Sequence, residues 1–213
     1  MSSTPHWTRD ILQPAAVLVV FSAISAFLLF GTHSLTAPAI ARAERALKNS
    51  LLAQTLPADR FDNDLSQAER PLATDPLLGL KRPGSYFVAT LKGQPSAVIL
   101  EASAPDGYAG EIKLLISILA DGRLGGVRVA SHHETPGLAD FIEAKRSPWI
   151  QQFNGKSLQQ PSDSGWKVKK DGGQFDAVAG ATVTPRAIVK AAHRALRYFE
   201  QHRATLLTPE TAP

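Results

Sequence analysis

Glu111-Ile112-Lys113-Leu114-Leu115-Ile116-Ser117-Ile118-Leu119, then Asp121-Gly122, then Leu124-Gly125-Gly126-Val127-Arg128-Val129-Ala130-Ser131, is the stretch that decides the fold. Successive side chains on a strand face opposite ways, so Ile112, Leu114, Ile116 and Ile118 share one apolar face. Asp-Gly between two such runs signals a hairpin, and 124–131 is read as the returning strand. Just upstream, 86–91 and 97–102 are short and rich in β-forming residues, with the turn signal Lys92-Gly93-Gln94-Pro95 between them. Downstream, Ile188, Ala191, Ala192, Ala195, Leu196 and Phe199 recur at helical spacing. An antiparallel sheet with flanking helices is the expected architecture, an α+β arrangement.

The C-terminal helix is approached through Asp176-Ala177-Val178-Ala179-Gly180-Ala181-Thr182-Val183-Thr184-Pro185. Thr184 is read as the N-cap, whose hydroxyl accepts from a free N–H of the first turn, and Pro185 as the first helical residue. Gly180 and Ala181 keep the backbone lean ahead of the cap, and Thr182 puts a hydroxyl there. Unpaired N–H groups and the helix dipole favour an anion at such a place. Taken by spacing alone, it is also an ordinary way to begin a helix.

Composition narrows the rest. The chain has 213 residues, 44% of them hydrophobic, enough for one anchor and one domain. With no cysteine, disulfides, thiolate catalysis, Cys-ligated zinc and iron–sulfur clusters are excluded. The net charge of +4 is scattered, with Lys167, Lys169 and Lys170 the densest group, and a nucleic-acid partner is not expected. From 11 to 41 there is no Asp, Glu, Lys or Arg. A bilayer core needs about 20 apolar residues in a helix, so 11–31 is read as a transmembrane helix after an N-terminal tail, 1–10. A cleaved signal peptide ending near Ala37-Pro38-Ala39 or Ala39-Ile40-Ala41 is the competing reading. Residues 32–57 are read as a linker containing a second helix from Pro38 to about Thr55, ended by Leu56-Pro57. Residues 58–84 are polar and read mostly as loop, 85–204 as the main domain and 205–213 as a tail.

The returning strand leads into His132-His133-Glu134-Thr135-Pro136-Gly137-Leu138-Ala139-Asp140. Adjacent histidines on extended chain face opposite sides, so a shared metal ion is not expected, and locally Pro136-Gly137 makes a polar turn. This segment, preceded by Gly107-Tyr108-x-Gly110, resembles the second signature of the FMN-binding domain family, in the form found in the G subunit of the Rnf (Rsx) electron transport complex. Ala139 stands where that segment commonly carries Gly. Asp176-x-x-Ala179-Gly180-Ala181-Thr182 resembles the flavinylation motif of the same family, with Ala179 in place of its usual Ser or Thr. Residues 149–155 and 166–176 are similar to the family as well, the latter read as a strand, a tight turn and then the motif loop.

The resemblance implies FMN joined by a phosphoester to Thr182, with Asp176, Gly180, Ala181 and Thr184 around the attachment point. It places Glu134, Thr135, Gly137 and Leu138 near the isoalloxazine ring. Lys170 or Lys169 would add positive charge near the phosphate, or serve only as solvated lysines. It further implies a subunit of a membrane-bound, ion-translocating electron transport complex, with other subunits as partners and a flavin transferase needed for maturation. No independent turnover is expected of the chain. Arg42, Arg45 and Lys48 after the apolar helix outnumber Arg9 before it, which by charge favours a cytoplasmic domain. The resemblance implies the periplasmic side of the bacterial inner membrane, and the reading follows it. The related C subunit of the sodium-pumping NADH:quinone reductase, and a cofactor-free assembly subunit, are the alternatives.

Overall fold

The computed structural model describes residues 6–178 and 180–208. The Ala179 substitution and residues 209–213 of the tail therefore lie outside the described residues, as do positions 1–5. The chain divides into two compact units, Met1–Leu47 and Lys48–Pro213.

Helix α1 runs His6–Thr55 without interruption, with Pro14 and Pro38 inside it. It replaces the two helices expected from the sequence and takes in residues 6–10 of the expected N-terminal tail. A proline removes one intrahelical bond, but good helix formers such as Ala37, Ala39, Ala41, Ala43 and Leu47 continue the pattern on both sides of Pro38. Polar groups in this stretch turn inward on the helix itself. The Thr32 hydroxyl donates to the Leu28 carbonyl at 2.8 Å and that of Thr36 to the Thr32 carbonyl at 2.8 Å. Arg42 Nε donates to the carbonyl of Pro38 at 3.2 Å. The large apolar side chains of this helix from Leu12 to Leu47 are exposed, and the helix is long and apolar enough to cross a membrane.

The second unit is built on a five-stranded antiparallel meander in the order β1-β2-β3-β4-β5. The strands are β1 Glu69–Leu72, β2 Gly84–Leu91, β3 Gln94–Gly107, β4 Gly110–Leu119 and β5 Leu124–Ser131. The expected hairpin is present: Leu114 pairs with Val129 and Ile116 with Val127. Strand β1 lies in the stretch read as loop. Its Pro71 and two charged residues hide it, and the proline is tolerated because β1 is an edge strand, where a missing N–H costs no ladder bond.

Alternation distributes the strands' side chains between two cores. On one face Val88, Val98, Leu100, Ile112, Leu114, Ile116 and Ile118 pack with Ile188, Ala192, Leu196 and Phe199 of helix α2, Val183–Leu206. On the other face Phe87, Ala89, Ala97, Ile99 and Leu115 pack with Leu52, Leu56 and Leu65. The end of α1 approaches β4 and β5 closely. Buried Ser117 donates to the Thr55 carbonyl at 2.7 Å, satisfying one of the acceptors that every helix C-terminus leaves open. A Cβ at Gly126 would lie 2.5 Å from that same carbonyl oxygen.

Residues 166–176 do not form the expected strand. A short 3₁₀ turn at Lys169–Asp171 is flanked by a lone parallel bridge between Val168 and Phe175. Asp171-Gly172-Gly173 turns the chain back after a single bridge, before a ladder can extend.

Candidate flavin site at the N-terminus of the last helix

The start of α2 differs from the capping expectation. The helix begins at Val183, Thr182 occupies the cap position, and no side-chain cap bond is made. Thr184 lies inside the first turn, is buried, and its hydroxyl donates to Glu134 Oε2 instead. Inside the helix Thr184 no longer occupies the cap position, and its O–H is turned to a carboxylate brought in from another loop. Pro185 is the third helical residue, still among the four positions whose N–H has no intrahelical partner.

Ahead of the helix, Val178 to Ala181 close a turn through Ala181 N–H donating to the Val178 carbonyl at 3.1 Å. Gly180 has φ +82° there, a left-handed conformation that Gly adopts without penalty, and a Cβ would meet nothing within 4 Å. Thr182 is half-buried, and among the described residues its hydroxyl has no hydrogen-bond partner.

Asp176, the first motif residue, is braced from a segment that the sequence does not single out residue by residue. The 3₁₀ turn Pro148–Phe153 carries Trp149, whose Nε1 donates to the Asp176 carbonyl at 2.9 Å, and Gln152, whose Oε1 accepts from Asp176 N–H at 2.7 Å. Trp149 is itself held edge-on between Phe141 and Phe153, at ring distances of 5.2 and 5.7 Å. The Asp176 carboxylate pairs with Lys169 at 2.5 Å. Lys170 is exposed and has no ion-pair partner among the described residues. Arg186 forms a forked pair with Asp171, both distances 2.6 Å, and its hydrogen bonds hold the Asp171 carboxyl below the ordinary range against an opposing effect of burial.

The loop after β5 lies against the same helix end. Thr135, Gly137 and Leu138 are exposed. The Thr135 carbonyl accepts from the N–H groups of Leu138 and Ala139, both at 3.1 Å. Asp140 Oδ1 accepts from Gly137 N–H at 2.9 Å, the chief reason its carboxyl sits below its usual range, with Arg146 adding to the effect. Ala139, in place of the family's common Gly, has φ −109°. Any residue adopts that value, so the substitution leaves the turn unstrained. Glu134 is only 4% exposed. Its Oε1 accepts from Ala109 N–H at 3.0 Å, which brings in the Gly107–Gly110 turn between β3 and β4. A Cβ at Gly107 would stand 2.8 Å from Glu134 Oε1 and 2.3 Å from the Gly110 carbonyl oxygen, so only Gly admits the carboxylate.

Among the described residues of the second unit, the large apolar side chains left exposed are Tyr108 at 73%, Leu138 at 61% and Val183 at 41%. All three sit in the segments that converge on Glu134. Exposed apolar side chains on segments that share one buried carboxylate make a candidate binding region. Beside it lie a helix N-terminus and the free Thr182 hydroxyl, so the residues present fit a group that is flat and apolar at one end and anionic at the other.

The chain matches a family model described as the FMN-binding domain over residues 107–197, and one described as the RnfG N-terminal region over residues 1–55. It is 50% identical over 204 residues to the G subunit of the ion-translocating oxidoreductase complex of Pseudomonas aeruginosa (strain UCBPP-PA14), covering 96% of this chain and 95% of that protein. The protein of the same description from Vibrio cholerae (Classical Ogawa 395) is 44% identical over 196 residues, covering 92% and 93%. That from Aliivibrio fischeri (strain MJ11) is 41% identical over 196 residues, again covering 92% and 93%.

Proposed function

Because this chain belongs to the family of G subunits of ion-translocating oxidoreductase complexes and carries its FMN-binding domain, we propose that it is the electron-relaying flavoprotein subunit of such a complex. In this reading the FMN is joined to Thr182 by a phosphoester. One observation carries the proposal: the unengaged Thr182 hydroxyl stands at the N-terminus of α2, on the strand-loop-helix junction where Tyr108, Leu138 and Val183 remain exposed.

A bound FMN would supply one- and two-electron redox chemistry, and the protein would supply attachment, orientation and surroundings. The Thr182 oxygen would carry the phosphate. The open N–H groups of the first turn of α2 favour its negative charge, and Lys170 would add positive charge from the Lys169–Asp171 turn. Gly180 and Ala181 leave the acceptor uncovered, while Asp176 is held by Trp149 and Gln152 and would help present the motif. Leu138, Tyr108 and Val183 would lie against the ring, with Thr135 and Gly137 shaping the loop beside it.

The wider assignment follows the family. Helix α1 would anchor the chain in the inner membrane, the second unit would lie on the periplasmic side, and other subunits would deliver and accept electrons coupled to ion movement. Attachment would need a flavin transferase, since no neighbour of Thr182 is placed to activate its hydroxyl among the described residues.

The test is intact-mass analysis of denatured protein co-produced with an active flavin transferase. The expected result is a gain of one FMN less one water in the wild type and no gain in Thr182→Val. No gain in either protein, with the transferase active on another substrate, would leave a non-covalent binder or a cofactor-free assembly subunit as the better account.

A further inference from the structure

Glu134 is a buried carboxylate with no cationic partner among the described residues. Its partners are the Ala109 N–H on Oε1 and the Thr184 hydroxyl on Oε2. Both are donors, one to each carboxylate oxygen. Its own backbone N–H donates to His132 Nδ1 at 3.2 Å, so the residue is pinned at main chain and side chain alike. The two carboxylate bonds reach 25 residues back in the chain and 50 forward. A buried carboxylate left without these bonds would be strongly destabilising, so the three segments hold together as a set.

Each segment so joined presents one exposed apolar side chain. Tyr108 adjoins Ala109, Val183 adjoins Thr184, and Leu138 lies four residues beyond Glu134. Gly107 is required for the carboxylate to come this close. We propose that Glu134 is a positioning residue that does not touch the flavin, and that its carboxylate fixes the spacing of Tyr108, Leu138 and Val183 as a preformed apolar seat for the isoalloxazine ring. The assignment rests on the FMN reading above for the identity of the ring. It replaces direct flavin contact by Glu134 and Thr184, whose polar atoms are engaged with each other.

The test uses the full chain in detergent, as wild type, Glu134→Gln, Glu134→Ala and Thr184→Val. Amide exchange of the peptide containing Ala109 is measured before flavin attachment. Intact mass, visible circular dichroism and flavin fluorescence anisotropy are measured after it. Glu134→Gln keeps an acceptor for Ala109 and a partner for Thr184, so exchange, dichroism and anisotropy stay near wild type. Glu134→Ala raises exchange at Ala109 about tenfold, the worth of one lost hydrogen bond to a charged group. It also lowers anisotropy and weakens the visible dichroism while the mass gain at Thr182 persists. Thr184→Val loosens the ring in the same direction and carries the prediction if Glu134→Ala does not fold. Wild-type exchange and dichroism in both Glu134→Ala and Thr184→Val would overturn the proposal. So would Glu134→Gln losing the dichroism with Ala109 exchange unchanged, since that marks a charge acting on the flavin directly. Absence of any mass gain in the wild type would count against the attachment reading alone. In that case the exchange data and the anisotropy of added free FMN decide the role of Glu134.

Discussion

Gly180 shows how a single backbone angle serves the site. Its φ of +82° costs an L-residue roughly 1–2 kcal/mol, although space for a side chain is available. Gly180→Ala is therefore expected to lower stability by about 1 kcal/mol in urea unfolding and to slow flavin attachment, because the turn before Thr182 opens. An unchanged midpoint together with an unchanged attachment rate would show that the turn does not need that angle. The glycine and Thr182 are legible in the sequence as a spacing ahead of a helix. Thr184 reads as a cap there, whereas in the fold it is a hydrogen-bond donor to Glu134, 50 residues away. Capping rules weigh only neighbouring chain, so a partner delivered by another loop escapes them. Trp149 and Gln152 escape individual notice for the same reason, since their bonds to Asp176 span 27 and 24 residues.

Elements with a strong period are readable and those without one are not. Strand β5 has the bounds expected from its sequence and β4 differs by one residue, because the alternation of β4 and the Asp121-Gly122 turn signal mark out the hairpin. Strand β1 is four residues long with a proline, and the 166–176 segment makes only a lone bridge, so neither has a period to detect. The junction of α1 with the sheet is also hidden, since Ser117 and Gly126 look like weak points in otherwise apolar strands. In the folded chain Ser117 donates to the Thr55 carbonyl and Gly126 leaves room for it. Ser117→Ala should cost about 1–3 kcal/mol by stranding a buried acceptor. Gly126→Ala should cost about as much or more by forcing the helix end away. Both should speed amide exchange across 50–56 more than across α2. Uniform exchange changes throughout the domain would argue that this junction is not a separate contact.

For the whole molecule, the lack of cysteine is an experimental convenience as well as an exclusion. Lys113 is exposed on β4 and distant in sequence from the motif loop. With the second unit on the periplasmic side, Lys113→Cys is labelled by a membrane-impermeant maleimide in cells whose inner membrane is intact. Labelling only after that membrane is permeabilised would place the unit in the cytoplasm, as the basic residues after the apolar helix suggest. The meander carries a further consequence, concerning the order of events. Each strand pairs with the one made just before it, so the sheet can assemble in sequence as the chain arrives, without waiting for a distant strand. One of its faces, however, is completed only when α2 arrives over Ile112, Leu114 and Ile116 beside the earlier Ile150, Phe153 and Phe175. Thr182 stands at the threshold of that helix, and the Glu134 bond to Thr184 closes only once the helix is seated. A transferase that recognises this shape would find nothing to modify on a nascent or truncated chain. The flavin would then act as a receipt for completed folding, admitting to the electron pathway only those copies whose final helix is in place.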